Sequence, residues 1–323
     1  MNKFNWGIFI GSLSGISWGM NTVIIGFILS YGVFLPYSNN LFISALVIAF
    51  LHDFFSSFWL LGNLMRNKKI KMLIFPFKSK VGYILIISSI LGGPIGMAGY
   101  LLGVKYIGPS YAASFSALYP ALGTILAVII LKEKINNRIK FGVLISGIGI
   151  LLLSYSPIDL SIYPNYLLGI FFSLFCVLGW AFECVIASYS MRYGEVDSSV
   201  AICIRQLTSS VFYALIIIPY IKGYPLIRDI FNSKIIYLVI FTALIGSLSY
   251  LFWYKAIDMI GAPRGMSLNI TYIIWTIIFE KILFNTEISM RFIFSSIIIL
   301  LGIILIAGNP KEMICNKKYK EYE

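Results

Sequence analysis

The chain has 323 residues, of which 59% are hydrophobic and only 12% charged, and its mean hydropathy is +0.90. A soluble globular domain carries about 25% charged residues, so this composition excludes such a domain and predicts an integral membrane protein. The net charge of +12 does not indicate a nucleic-acid partner, because the basic residues lie between apolar stretches, as they do in cytoplasmic loops.

Ten apolar stretches follow one another along the chain, separated by short polar loops. Each is long enough to cross a hydrocarbon core of about 30 Å as an α-helix. We therefore predict an all-α integral membrane protein with ten transmembrane helices, at residues 6–31, 39–62, 81–103, 109–131, 139–156, 165–190, 199–221, 235–256, 263–284 and 291–309. The first stretch has no small-residue cleavage site, so we expect a retained helix and not a signal peptide.

The basic residues predict the orientation of these helices. If the N-terminus is cytoplasmic, 18 lysines and arginines fall on the cytoplasmic side and 6 on the opposite side, while Arg205 lies within a helix. Only the loop with Lys222 and Arg228 runs against this bias. Because cytoplasmic loops are enriched in basic residues, we expect a multi-pass protein of the cell inner (cytoplasmic) membrane with both termini in the cytoplasm.

The two halves of the chain share residues at constant spacing. A shift of 162 residues aligns Gly7 with Gly169, Trp18 with Trp180, Tyr31 with Tyr193 and Gly32 with Gly194. A shift of 153 aligns Ile107 and Gly108 with Ile260 and Gly261, and Tyr119 with Tyr272. Because five is odd, the second five-helix repeat must be inverted in the membrane relative to the first. We predict repeats at residues 1–157 and 158–310 and a basic cytoplasmic tail at 311–323.

Four aromatic residues at matched positions mark a candidate site. Trp18, Tyr119, Trp180 and Tyr272 lie about 9 to 15 residues into their helices, and hence near the bilayer midplane. Membrane tryptophans and tyrosines usually lie at the interfaces instead. Packing explains each residue taken alone, whereas four matched positions favour a substrate-binding site.

Further residues extend this candidate site. Asn269, Tyr272 and Trp275 follow i, i+3, i+6 spacing, which predicts that they line one helix face. Tyr250 and Met97 lie at matched positions of the eighth and third helices. We therefore include Asn269, Trp275 and Tyr250 among the predicted substrate-binding residues.

Glu183 places an acidic group inside a very apolar helix, three residues after Trp180. An ionised carboxylate there costs at least about 2.5 kcal/mol, so it is a candidate functional residue. The 162-residue shift aligns Glu183 with Asn21, so only one half of the chain supplies a carboxylate. Aromatic faces with one negative charge suit a quaternary ammonium cation. A site for an anion or a sugar would instead need arginine, or many amide and hydroxyl groups. This site offers few such groups, and the main ones are Asn269 and Gln206.

Two further helices contain charged residues. His52 and Asp53 lie midway along the second helix, and Arg205 lies in the seventh. Asp53 and Glu183 against Arg205 leave one negative charge, which a proton or a monovalent cation would cancel. Two alternatives stay open: an ion pair of Asp53 and Arg205 only ties helices together, and His52 is either a hydrogen-bonded core residue or a proton relay. The residues expected to act in coupling or gating are His52, Asp53, Met97, Arg205 and Gln206.

Motifs for catalysis, for metal binding and for cofactor binding are missing from the sequence. There are no paired carboxylates in a loop, no His/Cys metal spacing and no phosphate-binding glycine loop, so we predict no enzyme activity, no metal site and no cofactor. The four cysteines form no disulfide framework, and we expect them to be inert packing residues: Cys176, Cys184, Cys203 and Cys315.

Eight short stretches carry a resemblance to a known family: SGISWG at 14–19, HDF at 52–54, GPIGM at 93–97, VKYIG at 104–108, SALYP at 116–120, WAFE at 180–183, IRQ at 204–206 and LNITYIIWT at 268–276. Acidic residues, Glu133 and Glu287, also follow the fourth helix of each half. Over essentially its whole length the chain resembles the drug/metabolite transporter superfamily of the EamA type, and within it these stretches look like the bacterial Lic-type choline transporters.

This resemblance implies an importer of choline with a proton, working by alternating access around a midplane aromatic box. It implies substrate-binding roles for Trp18, Tyr119, Trp180, Glu183 and Tyr272. The expected partners are a choline-like cation, protons and the lipid bilayer. The chain departs from the family pattern at 98–100 and 181–182, which leaves related amines open. Two other functions also stay open: an exporter of amino acids, nucleosides or drugs, and an intramembrane enzyme acting on lipid-linked amines.

Overall fold

The computed structural model describes residues 3–37, 41–74, 79–133, 135–154, 163–287 and 289–307, and the regular structure within these ranges is entirely helical. Its main helices follow the predicted apolar stretches: α1 (Lys3–Leu29), α2 (Leu41–Arg66), α3 (Lys80–Ile107), α4 (Pro109–Ile130), α5 (Asn137–Ser154), α6 (Tyr166–Tyr193), α7 (Ser198–Tyr220), α8 (Ile235–Ile260), α9 (Ala262–Phe284) and α10 (Met290–Ala307). The predicted tail at 311–323 and Cys315 lie outside the described residues.

Eight of these helices, α1 to α4 and α6 to α9, are long and apolar enough to cross a membrane, and α10 contains a shorter apolar run, Ile293–Ile306. Large apolar side chains cover the outside of the structure, where Leu215 is 72% exposed and Ile282 is 69% exposed. Apolar surface of this extent marks contact with another apolar phase, here the lipid. The chain is therefore a multi-pass membrane protein.

Glycines with positive φ end α3 and α8. Gly108 has a φ of +81° and Gly261 a φ of +86°, a conformation that residues with a Cβ rarely adopt. Pro109 then opens α4, and Pro263 lies in the first turn of α9, where the missing N–H is tolerated. The glycine pair aligned by the 153-residue shift therefore makes the same kind of turn in each half.

Two helices are interrupted near their middle. α4 consists of Pro109–Ser116 and Tyr119–Ile130, and α9 consists of Ala262–Asn269 and Tyr272–Phe284. Each interruption changes the direction in which the following side chains point. The spacing rule for a single helix face therefore fails across it.

π-helical turns widen α3 and α7. The turn in α3, Leu91–Met97, contains Pro94, which has no N–H to donate to the helical hydrogen-bond ladder. The turn in α7, Tyr213–Ile217, precedes Pro219. Such turns frequently lie at functional positions of helices.

α1 packs antiparallel along α8. Near the start of α1, Gly7 approaches Ile260 at the end of α8. Towards the end of α1, the Thr242 hydroxyl in the first third of α8 donates to the Asn21 side chain over 2.9 Å. Small residues let such helices come close in lipid, where packing replaces the hydrophobic effect.

α6 packs antiparallel along α3 in the same manner. Gly169 at the start of α6 approaches Ile107 at the end of α3, and Gly179 lies against Gly96. The first helix of each half thus lies along the third helix of the other half. The fifth helices of the two halves, α5 and α10, pack on each other.

The close contact at Gly179 leads to a stability prediction. A Cβ there would lie 2.5 Å from the Leu91 carbonyl oxygen and 2.7 Å from Gly96 Cα, both backbone atoms. We expect Gly179→Ala to lower the free energy of unfolding by about 1–3 kcal/mol through overpacking. Gly62→Ala is the control, since open space surrounds that glycine and helix propensity favours alanine. Thermal unfolding in detergent measures both variants, and equal melting temperatures would contradict this packing.

Candidate functional site

Aromatic rings from both halves meet in the interior. The ring centroids of Trp18 in α1 and Trp180 in α6 are 5.5 Å apart, with the ring planes at 78°. Trp18 lies 5.1 Å from the ring of Tyr250 in α8, and Trp180 lies 5.0 Å from the ring of Tyr100 in α3. All four side chains are buried. The structure thus brings together the two tryptophans that the repeat had paired.

Tyr119 and Trp253 complete this group of rings. The Tyr119 ring lies 5.8 Å from the Trp180 ring and 6.0 Å from the Trp253 ring. The sequence analysis did not select Tyr100 or Trp253, although these two are also 153 residues apart. Extending the repeat along the third and eighth helices would have found both. We call the group the aromatic cluster: Trp18, Tyr100, Tyr119, Trp180, Tyr250 and Trp253.

A small cavity lies within the aromatic cluster. Its volume is about 10 Å³, which is room for about one water molecule. The residues that line it are Trp18, Trp180, Ser249, Tyr250, Trp253 and Asn269. The surface that faces the cavity is apolar, although Ser249 and Asn269 belong to its lining.

Two hydrogen bonds connect the halves beside the cavity. The Tyr119 hydroxyl donates to Asn269 Oδ1 over 3.0 Å, and the Tyr272 hydroxyl lies 2.8 Å from Ser116 Oγ. The 153-residue shift converts one pair into the other, since it aligns Ser116 with Asn269 and Tyr119 with Tyr272. Both pairs lie at the breaks of α4 and α9. The matched tyrosines therefore tie each interrupted helix to its counterpart.

A charged cluster lies next to the aromatic cluster. The guanidinium of Arg205 in α7 donates from Nη1 to Asp53 Oδ2 over 3.2 Å and from Nε to Glu183 Oε1 over 3.0 Å. All three side chains are 0% exposed. The Tyr254 hydroxyl also donates to Glu183 Oε1 over 2.8 Å. The predicted pair of Asp53 and Arg205 exists, but Arg205 binds Glu183 as well, so Glu183 is not an isolated acid.

His52 is held between two acceptor oxygens. Its Nδ1 lies 3.2 Å from Asp53 Oδ1, and its Nε2 lies 3.2 Å from Asn21 Oδ1. Arg205 Nη1 also donates to the Gln206 side-chain oxygen. We call the group the charged cluster: His52, Asp53, Glu183, Arg205 and Gln206. With His52 neutral, two carboxylates against one guanidinium leave a net charge of −1.

Tyr250 joins the two clusters. The Arg205 guanidinium carbon lies 4.8 Å from the centre of the Tyr250 ring, while the Tyr250 hydroxyl faces Met97 Sδ at 3.8 Å. Tyr250 lines the cavity, whereas Glu183 does not. The Glu183 carboxylate lies instead against Gly92 in the π-helical turn, where a Cβ would overlap it. The Glu183 carboxylate therefore lies close to the residues that line the cavity but does not itself line it.

Trp275 lies apart from the aromatic cluster. Its ring packs on Phe279 at 6.0 Å, and its Cβ lies against Gly19. The interruption of α9 falls between Asn269 and Tyr272, so the regular spacing expected for one helix face does not hold. Asn269 consequently lines the cavity while Trp275 does not.

The interior contains a cavity that is lined by apolar helices of both halves, and buried charges lie beside it. These features are typical of a carrier for small molecules. No group of three or more His, Cys, Asp or Glu residues that could hold a metal ion occurs within the described ranges. The model of the EamA-like transporter family matches residues 5–155 and 167–308. The chain belongs to the EamA-like transporter family, and it is a membrane transporter and not an enzyme.

Two curated relatives and one solved structure are similar to this chain. The chain is 36% identical to Protein LicB of Haemophilus influenzae over 224 residues, which cover 69% of this chain and 72% of the relative. It is 27% identical to the uncharacterized transporter YyaM of Bacillus subtilis over 249 residues, covering 72% and 74%. A solved structure titled "Crystal structure of protein" shares the fold, with a TM-score of 0.62, 15% identity and coverage of 94% and 95%.

The buried ion pairs lead to a second stability prediction. We expect Arg205→Gln to lower the free energy of unfolding by about 3–5 kcal/mol, because two buried carboxylates lose their partner. Lys69 and Asp197 form a control pair whose side chains are 39% and 26% exposed, and Lys69→Gln should cost less than about 1 kcal/mol. Denaturant or thermal unfolding in detergent compares the variants. Equal losses would mean that Arg205 is not the centre of a buried charge network.

Proposed function

We propose that the chain imports choline or a similar quaternary amine across the cytoplasmic membrane. The single observation that carries this proposal is the aromatic cavity, with a fully buried cluster of net negative charge directly behind its wall. Aromatic faces attract a cation by about 0.5–2 kcal/mol each, and more when water is excluded. A quaternary nitrogen has no N–H groups, so it loses no hydrogen bond in such a cavity.

The charged cluster explains why a cation is preferred although Arg205 lies nearby. The guanidinium already covers one face of Tyr250 and would repel a second cation. Asp53 and Glu183 outweigh this repulsion because they carry two negative charges against one positive charge. In an apolar interior the remaining charge acts over longer distances than in water. Glu183 therefore supports cation binding without contact with the ligand.

The position of His52 beside the buried carboxylate of Asp53 supports coupling to a proton. His52 faces acceptor oxygens at both ring nitrogens, and an imidazolium, which donates from both, satisfies this arrangement. We propose that a proton and the substrate enter together and that His52, Asp53 and Arg205 link their binding.

The fold supports transport by two inverted repeats. The antiparallel packing of α1 on α8 and of α6 on α3 is expected if the second set of five membrane-spanning helices is inverted relative to the first. A choline-sized ligand is larger than the central gap, so the rings must separate as the two halves rock around the cavity. We place both termini in the cytoplasm. A membrane potential that is negative inside the cell then drives import, because an inward-moving positive charge gains about 2.3 kcal/mol per 100 mV.

Similarity to a relative points the same way. The stretches that resemble Lic-type choline transporters contain Trp18, Tyr119, Trp180 and Asn269, all of which lie at or beside the cavity. The identity of 36% with Protein LicB supports the same grouping. An exporter of amino acids, nucleosides or drugs would instead prefer zwitterions or aromatic ligands over choline.

A matched tryptophan pair tests the binding site. We expect Trp180→Leu to raise the Kd for choline by about 2- to 30-fold, the loss of one aromatic face. Trp275→Leu removes a tryptophan whose ring contacts Phe279 outside the cavity, and its Kd should equal that of the parent protein. Isothermal titration calorimetry in detergent measures both. Equal effects of the two substitutions would place the binding site elsewhere.

A matched glutamate pair tests the charge balance. Glu183→Gln removes the net negative charge of the charged cluster, so we expect choline-dependent current in proteoliposomes to disappear. Glu195→Gln changes an exposed glutamate between α6 and α7, and it should transport like the parent protein. Size-exclusion profiles in detergent control for folding. Undiminished current in the well-folded Glu183→Gln protein would refute the role of this charge.

A further inference from the structure

The interrupted helices α4 and α9 contact each other on both sides of their breaks. The first part of α4, Pro109–Ser116, packs on the second part of α9, Tyr272–Phe284. The second part of α4, Tyr119–Ile130, packs on the first part of α9, Ala262–Asn269. The two helices therefore run antiparallel, and each contributes one part to either side of the cavity. Because α4 belongs to the first half and α9 to the second, this contact joins the two halves.

One hydrogen bond joins the two helices far from their breaks. The Ser110 hydroxyl, in the first turn of α4, donates to Oε2 of Glu280 in α9. Glu280 lies eight residues beyond Tyr272, or about 12 Å further along the helix. The Glu280 side chain is partly buried, and no lysine, arginine or histidine of the described ranges forms an ion pair with it. Its partner across the two halves is therefore a hydroxyl group and not a cation.

This hydrogen bond lies at the end of the bundle opposite the N-terminus. At the same end, Lys105 near the end of α3 donates to the main-chain oxygen of Leu29 at the end of α1. Tyr163, which precedes α6, lies over the turn at Gly108, where a Cβ would be 2.6 Å from the Tyr163 hydroxyl oxygen. Since we place the N-terminus in the cytoplasm, we call this the outer end.

The matched positions at the inner end cannot form the same bond. The 153-residue shift places Ser110 on Pro263 and Glu280 on Ala127. The side chains of proline and alanine contain no hydrogen-bonding group. The helices instead approach there through Gly123, where a Cβ would lie 2.4 Å from the Met266 sulfur. The hydrogen bond is therefore a feature of the outer end that the repeat does not copy at the inner end.

We propose that the hydrogen bond between Ser110 and Glu280 is a latch that keeps the cavity closed towards the outer side. Alternating access requires the two halves to separate at one end at a time. Separation at the outer end parts α4 from α9, so this bond must break before the cavity opens there. The inference rests on the alternating access of the proposed function and not on the choice of choline as the substrate.

Two native cysteines can report on which side the structure opens. Cys176 lies one helical turn before Trp180, on the outer side of the cavity, and Cys184 lies one turn after it, on the inner side. Both are 0% exposed, so a water-soluble reagent reaches either thiol only when the structure opens. Comparison of the two rates therefore separates opening at the outer end from general loosening of the protein.

Alkylation by iodoacetamide in detergent, with mass spectrometry of each cysteine, tests the latch in the full-length protein. We expect Ser110→Ala and Glu280→Ala to raise the alkylation rate of Cys176 by about tenfold, because the closed state loses a hydrogen bond to a carboxylate. The rate at Cys184 should not rise. Glu280→Gln retains an oxygen that accepts from Ser110, so its Cys176 rate should stay within about threefold of the parent rate.

Ser114→Ala is the matched control, since the Ser114 hydroxyl is bonded to the main-chain oxygen of Ser110 in its own helix. It should keep the parent rate at both cysteines. An unchanged Cys176 rate in Ser110→Ala would overturn the latch, and so would equal acceleration at Cys176 and Cys184. A rate in Glu280→Gln as high as in Glu280→Ala would assign the effect to the charge and overturn it too. Because the experiment contains no choline, its failure leaves the proposed function standing.

Discussion

A guanidinium held between two carboxylates in the interior is the constraint on which the rest of the structure depends. Buried ions lose their hydration, and only close, well-oriented partners offset that loss. Arg205 in α7 obtains such partners from α2 and α6, so these three helices must pack closely together at the same depth in the bundle. Gly92 makes this approach possible, because any side chain there would overlap the Glu183 carboxylate. The π-helical turn and its glycines thus serve the charge network.

The charge network and the aromatic cluster act together through shared residues. Tyr250 carries Arg205 on its ring and lines the cavity, and Trp253 lies beside Tyr254, which donates to Glu183. A cation entering the cavity therefore changes the field at the charged cluster without touching it. Under the proposed function, this arrangement joins ligand binding to the state of a proton site. It also separates recognition, which belongs to the rings, from charge balance, which belongs to the buried acids.

The sequence predicts the helices and the pairing of matched residues well, because both rest on local rules. Apolar length locates the helices, and a constant shift pairs Trp18 with Trp180 before their contact is known. Geometry beyond a single regular helix is not predictable in this way. The break in α9 separates Trp275 from Asn269, and the partners of Arg205 depend on how three helices pack.

The central claim is that a permanently charged nitrogen is drawn into the aromatic cavity and carried inward. Uptake of labelled choline into proteoliposomes under an imposed potential, with and without a pH gradient, tests it most directly. The account predicts accumulation that increases with an inside-negative potential and increases further with an inward proton gradient. Absence of accumulation under every gradient, or net efflux against the potential, would contradict it.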